Sequence, residues 1–377
     1  MINLSDLLKN NKHERLQIFL LYGIVIFALV FTTGFVSDDF SEISNIKNKG
    51  NFFEFLPSKI FINIPVLYYT HYIFYYFLSI ENYIFISLVK FLYTFLSFYM
   101  ISKFFSILID YYNSLLISFL FIFWPSHDST VYFFLAQYLM LTISFQLYAY
   151  YLLNQNFFKT SLLFSLLGSF ISYGSTPVSI GLSILFILNK SYKKSLYIII
   201  PNIIYIFYYF FVSKVFAISS ISRIPNNFEL LDLVKNFLLQ IGTFLDVNIG
   251  VSFFIKIFFS IFENNFFSLI LSLIFFILLF FFKKKISLSK IYLNNYLLLA
   301  LILIILVSLL MFSITGGYYQ NIFNLGNRVS IYSSLFFSYL FVYLLQKNKI
   351  NFFFFNYFNC SNIWYIQSLE KYSIKSR

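Results

Sequence analysis

The chain has 377 residues, 60% of them hydrophobic and 11% charged, and its mean hydropathy is +0.81. A soluble fold cannot hide that much apolar surface, so the composition excludes a water-surrounded globule and requires a bilayer. The formal charge of +12 would suit nucleic acid if the basic residues formed one patch, but their distribution makes them an orientation signal and a contact for anionic lipid.

Phe (57) and Tyr (32) are abundant while Gly (11) and Pro (6) are scarce, which favours long helices over the alternating strands of a barrel. Cys360 stands alone, and the three histidines have no close spacing, so neither an intrachain disulfide nor a zinc signature is present. Apolar runs long enough for a ~30 Å hydrocarbon core lie at about 16–36, 83–103, 107–124, 131–153, 196–213, 266–282, 296–315 and 329–346. The first reads as an uncleaved anchor, because it is long and no small-residue cleavage pattern follows it. Between Lys159 and Lys190 a further apolar stretch is interrupted by Ser172 to Pro177, and lysines at both ends make it a hairpin of two short helices. The expected fold is therefore all-α and polytopic, with about ten transmembrane helices and both termini cytoplasmic. Residues 1–349 form one transmembrane domain, and 350–377 form a short cytoplasmic or interfacial tail.

Charge supports that parity. Lys9, Lys12, Arg15, Lys103, Lys159, Lys190, Lys193, Lys194, Lys283 to Lys285 and Lys347 fall on the expected cytoplasmic side, whereas Asp38, Asp39, Glu42, Glu54, Asp128, Asp232 and Asp246 fall outside with fewer cations. Two exterior loops are long. Loop 37–82 contains a Tyr-studded apolar segment, Pro57 to Ile80, which is expected to lie at the interface; loop 214–265 carries Arg223 and an apolar stretch read as interfacial or re-entrant.

The chemistry gathers on that exterior face. Asp38 and Asp39 follow the first span, where mutual repulsion raises one pKa and suits a general base or a cation site; the alternative reading is two acids that simply end a helix. Trp124 to Thr130, with His127 and Asp128, forms a tight loop in which the histidine either orients a substrate or caps the next helix. Gly316 to Arg328, with Tyr318, Tyr319 and Gln320, leads into the last span. Arg328 suits either a bidentate phosphate grip or simple snorkelling. Lys90 lies inside the second span, and snorkelling or pairing is its expected role.

Val36-Ser37-Asp38-Asp39-Phe40, Asn63-Ile64-Pro65, Pro125-Ser126-His127-Asp128 and Asn327-Arg328, in that order and on that face, resemble the GT-C superfamily of membrane glycosyltransferases over most of the chain. The resemblance implies inverting transfer of a sugar from a polyprenyl-phosphate carrier to a glycan, lipid or protein acceptor at the exterior face of a bacterial inner membrane. It implies Asp38 or Asp39 as base, and Arg328 and His127 as contacts to the carrier phosphate. Arg223, Asp128, Tyr318, Tyr319 and Gln320 complete the expected binding set. Asp38, Asp39 and Asp128 offer hard oxygen ligands to a divalent metal, though their spacing requires none. Two alternatives stand beside this reading: a lipid-linked polysaccharide polymerase, with its essential groups in loop 214–265, and a non-enzymatic lipid-linked-glycan transporter.

Overall fold

A computed structural model describes residues 4–31, 64–66, 70, 73, 83–215, 229–262, 293–315 and 325–347. Among these residues there is no strand. Six helical stretches are long and apolar enough to cross a membrane: His13–Phe31, Ile84–Phe105, Tyr192–Val212, Leu230–Phe259, Asn295–Ile314 and Gly326–Lys347. The chain is an all-α protein of the polytopic membrane type.

In chain order the main helices are α1 (Leu4–Phe31), α2 (Tyr83–Phe105), α3 (Tyr111–Ile122), α4 (Gln137–Asn154), α5 (Phe158–Ile171) and α6 (Ser175–Leu188). They continue with α7 (Tyr192–Val215), α8 (Leu230–Ile249), α9 (Val251–Phe262), α10 (Asn295–Thr315) and α11 (Ile331–Lys347). Aromatic rings set the register of α1 against α2. Phe27 meets Phe91 with centroids 5.2 Å apart and Phe19 meets Tyr99 at 6.1 Å, so the two helices run antiparallel. α4 packs against α2, α5 and α6; α10 packs against α6, α8 and α11. Apolar side chains that would be a liability in water, such as Ile203, Phe207, Phe210 and Phe211 of α7, point outward, as lipid-facing residues do.

The hairpin expected between Lys159 and Lys190 is present, and its register against α7 shows why it is a hairpin. Phe158 lies against Tyr197 (5.2 Å) and Phe170 against Tyr205 (5.5 Å), so α5 runs parallel to α7. Ser183 bonds Ser195 at 2.6 Å and Ser175 bonds Asn202 at 2.5 Å, so α6 runs back. Lys159, Lys190, Lys193 and Lys194 therefore gather at one end of the bundle. The turns into and out of the hairpin close with left-handed residues, Asn156 (φ 63) and Lys190 (φ 57). Each is followed by a backbone bond back across the helix end, Phe157 N to Leu152 O at 2.9 Å and Ser191 N to Phe186 O at 2.8 Å, which uses carbonyls the helix leaves open. Tyr111 donates to the Arg15 carbonyl at 3.2 Å, Lys103 sits 5.9 Å from the Tyr151 ring, and Gln346 bonds Asn113. These contacts bring Arg15, Lys103 and the C-terminal turn of α11, which holds Lys347, to the same end. We refer to it as the basic end and to the other as the loop end.

Three boundaries differ from the sequence reading. The run 107–124 supplies only α3, capped by Asp110, whose carboxylate accepts from Tyr112 N and Asn113 N at 3.1 Å; at 12 residues it is about 18 Å long, short of a full span. The run 131–153 becomes α4 only from Gln137. Before it Phe133 is extended (φ −85, ψ 117), and Gln137 Nε2 donates to the Val131 carbonyl at 2.7 Å. The third lies in loop 214–265, where the interfacial or re-entrant stretch contains α8. With 20 residues α8 is about 30 Å long, and its C-terminal turns run antiparallel to α11: Asn248 Oδ1 accepts from Ser333 Oγ at 2.7 Å, and Phe244 meets Phe337 at 6.2 Å. Gly250 is extended and separates α8 from α9, which Asp246 caps by accepting from Ser252 N at 3.2 Å. Apart from residues 64–66, 70 and 73, the segment Pro57 to Ile80 lies outside the described residues, as do 266–282, Lys283 to Lys285 and 350–377.

Candidate functional site at the loop end

The loop end brings together segments far apart in the chain. The short turns after α3, Pro125–His127 and Ser129–Tyr132, pack against the 3-10 turn Leu325–Ser330 that opens α11. Asn327 is the hinge between them. Its Nδ2 donates to Asp128 Oδ1, and its Oδ1 accepts from Ser129 N at 3.2 Å and from the Ser129 hydroxyl. Ser330 donates to the Ser126 carbonyl, and Ser126 Oγ lies 3.3 Å from Ser334 Oγ. The tip of the α5–α6 hairpin joins the same end: Tyr332 donates to the Gly174 carbonyl at 2.7 Å. A Cβ at Gly174 would stand 2.6 Å from Leu139 Cδ1 and 2.8 Å from the Tyr332 oxygen, so a larger residue here would have to displace both side chains.

Asp128 is the electrostatic centre of the cluster. Lys256 reaches in from α9, its Nζ 2.6 Å from Asp128 Oδ2 and 2.7 Å from the Pro125 carbonyl, with only 2% of its side chain exposed against 13% for Asp128. Around this pair α9 adds Phe253, which stacks on Trp124 at 6.3 Å, and α8 adds the buried Val247. The arrangement fits an aspartate held in place and charge-neutralised by an ammonium. It does not fit Asp128 as a ligand of a divalent cation, because the ammonium already takes the position a cation would need. Among the described residues no group of three His, Cys, Asp or Glu could hold a metal.

His127 stands in a setting unlike the phosphate contact that the family resemblance implies. It is fully buried; Nε2 donates to the Phe121 carbonyl at 2.6 Å, and Nδ1 lies 2.7 Å from Thr130 Oγ1. Both ring nitrogens are thus used to fold the loop, and neither is left for a carrier phosphate. Burial, with a smaller contribution from the Lys256 charge, lowers its pKa from 6.5 to about 4, against backbone hydrogen bonding that raises it. The neutral ring is therefore the folded form, and the unfolded chain binds the extra proton between those two values. Stability from His127 is complete above pH 6.5 and lost as pH falls toward 4, by about 3 kcal/mol in all. In detergent, wild type should lose thermal stability over that window more steeply than His127→Asn. Equal pH slopes would show that the histidine is not held neutral.

Arg328 sits half-buried in the 3-10 turn next to Asn327. Asp38, Asp39, Arg223, Tyr318, Tyr319 and Gln320 lie outside the described residues. α1, which precedes the aspartate pair, finishes at the loop end, since Phe27 and Phe31 stack (4.5 Å) beyond the level at which Phe27 meets Phe91. Sequence reasoning gave Lys256 no role. The available signal was one lysine within the uncharged run Val251 to Phe262, where a charge needs a partner. Comparison with known proteins found no family model, no curated protein and no solved structure that matches the chain.

Proposed function

We propose that the protein is a membrane glycosyltransferase of the GT-C type, taking a sugar from a polyprenyl-phosphate carrier and transferring it with inversion to a glycan, lipid or protein acceptor. The membrane is the bacterial inner membrane, and the loop end faces outward. One observation supports this most: the polar segments 124–130, 172–174 and 325–330 meet at one end of the bundle, the end where α1 finishes before Asp38 and Asp39, while Arg15, Lys103, Lys159, Lys190, Lys193 and Lys194 gather at the other. The basic end is then cytoplasmic by the usual bias of Lys and Arg.

In the proposed reaction the acceptor hydroxyl attacks the anomeric carbon as Asp38 or Asp39 takes its proton. The bond from that carbon to the phosphate oxygen breaks, and the polyprenyl phosphate leaves with the electron pair. Arg328 steadies the phosphate, a part that needs a planar fork. Asp128, Lys256 and Asn327 have a supporting part in this reading: their contacts fix the turn next to Arg328. A transporter of lipid-linked glycan is the second reading, favoured by the break at Gly250 inside the apolar stretch Leu230–Phe259.

Arg328 tests the assignment. Arg328→Lys keeps charge and length but loses the fork, so carrier use should weaken by about tenfold, as expected for one charge-assisted bond of about 1.5–3 kcal/mol, and Arg328→Ala should be worse. Transfer measured against polyprenyl-phosphate-sugar concentration checks this. A lysine variant equal to wild type would make Arg328 an interfacial anchor.

A further inference from the structure

α2 turns one stripe outward. Leu88, Leu92, Leu96, Tyr99 and Lys103 share a face at helical spacing, and each of the three leucines is at least 39% exposed. Lys90, the other lysine of α2, is fully buried on the opposite face. Neighbouring helices flank the stripe: on one side Phe91 and Phe95 pack on Phe27 and Phe19 of α1, and on the other Tyr99 meets Tyr148 of α4 at 6.0 Å. From Leu92 to Lys103 the stripe rises about 16 Å, which is one leaflet of a ~30 Å hydrocarbon core.

Lys103 closes this stripe at the basic end, and its geometry is not that of snorkelling. A snorkelling ammonium near the C-terminus of α2 would stretch past the helix into water. The Lys103 Nζ instead lies back over the Tyr99 ring, 5.4 Å from its centroid, and 5.9 Å from the centroid of Tyr151 on α4. Tyr148 links the two rings, stacked on Tyr151 at 5.6 Å. Ring faces attract a cation, yet they offer no oxygen acceptor to its three N–H donors. Among the described residues no carboxylate pairs with Lys103. Asp110, the closest acid along the chain, is turned to the start of α3, where it accepts from Tyr112 N and Asn113 N. A second cation stands at the same level: Arg15 lies one turn beyond Phe19 as Lys103 lies one turn beyond Tyr99, and those two rings meet at 6.1 Å.

We propose that Lys103, held by Tyr99, Tyr148 and Tyr151, is the headgroup site of one anionic phospholipid whose acyl chains lie along Leu96, Leu92 and Leu88. Three features select this ligand: an ammonium without a carboxylate, an outward apolar run of leaflet length beside it, and a place at the basic end, where an anionic leaflet concentrates its lipid. The proposal is narrower than the attraction of a basic end for such a leaflet. Every lysine there shares that attraction, whereas Lys159, for example, is exposed and extends no comparable apolar stripe. The site is independent of the reaction carried out at the loop end.

The test is native mass spectrometry of the full-length protein in detergent, titrated with phosphatidylglycerol, phosphatidylcholine and glycerophosphoglycerol, the same anionic headgroup without acyl chains. Wild type should retain one phosphatidylglycerol with at least about tenfold preference over phosphatidylcholine and should not retain the deacylated headgroup. Lys103→Gln and Lys103→Met should each weaken phosphatidylglycerol binding about tenfold, the loss of one charge-assisted contact. Lys103→Arg should keep it, and Lys159→Gln should change it less than about twofold. Unliganded Tm verifies that each variant is folded; if neither neutral variant folds, the lipid preference of wild type decides. Equal binding of the two phospholipids by wild type overturns the proposal. Equal losses in Lys103→Gln and Lys159→Gln overturn it in favour of diffuse attraction, and tight binding of glycerophosphoglycerol overturns it in favour of a soluble phosphate ester.

Discussion

Asp38→Asn and Asp39→Asn are expected to separate a general base from a solvated helix end. Asn preserves the shape of each side chain and removes its capacity to accept a proton. At the essential aspartate the loss should be roughly 10²–10⁴-fold in transfer rate, the usual contribution of a positioned base. The other variant should fall by much less, because its part is to raise its neighbour's pKa by repulsion. Membrane insertion and yield should be unchanged for both, since Asn keeps the size and shape of Asp. Transfer rates, or complementation of a glycan phenotype, decide the matter, and full activity in both single variants would reassign the pair as the end of the first helix.

The second large effect concerns the buried ion pair. Lys256→Met leaves the Asp128 carboxylate without its cation in a site where Lys256 is 2% and Asp128 13% exposed, and breaking a buried pair on one side costs about 3–5 kcal/mol. Asp128→Asn leaves a buried ammonium and should cost a similar amount. The double variant Asp128→Asn/Lys256→Met removes both charges and should recover most of the loss, because neutral replacement of a buried pair is often close to isoenergetic. Thermal unfolding in detergent reads all three. Additive losses in the double variant would mean that the two residues act separately and that α9 is not fastened to the 125–128 turn by this contact.

The sequence revealed those parts of the fold that rest on local chemistry. The α5–α6 hairpin was legible because Ser172 to Pro177 carries turn residues and lysines stand at both ends. The long apolar runs announced α2, α7, α10 and α11 by length alone. α4 was misplaced at its start because Val131 to Ala136 is as apolar as the helix that follows, and the break shows in the extended Phe133 and the Gln137 bond to the Val131 carbonyl. The stretch that holds α8 was read as interfacial or re-entrant within an exterior loop, and the packing of its last turns on α11 depends on residues far along the chain.

In the candidate site, Asp128 was visible as a polar residue in a tight loop, but its ion pair was not, since Lys256 lies on an apolar helix far along the chain. His127 shows the opposite case. A histidine beside an aspartate suggests chemistry in the sequence, yet its nearest acceptor is a helix-end carbonyl, Phe121 O, which no spacing rule points to. Lys90 was legible as an intramembrane charge, and only burial separates an inward ammonium from a snorkelling one.

The most direct measurement uses sealed right-side-out vesicles containing the protein, loaded with a panel of polyprenyl-phosphate sugars and supplied with acceptor on the outside only. Wild type is expected to consume one donor, release polyprenyl phosphate and place the sugar on acceptor outside the vesicle, with the stereochemistry of the anomeric carbon inverted. An Asp38→Asn/Asp39→Asn variant of equal abundance should release at least ~100-fold less. Donor left intact across the panel by folded wild type, or equal turnover by the double variant, would contradict the proposed function.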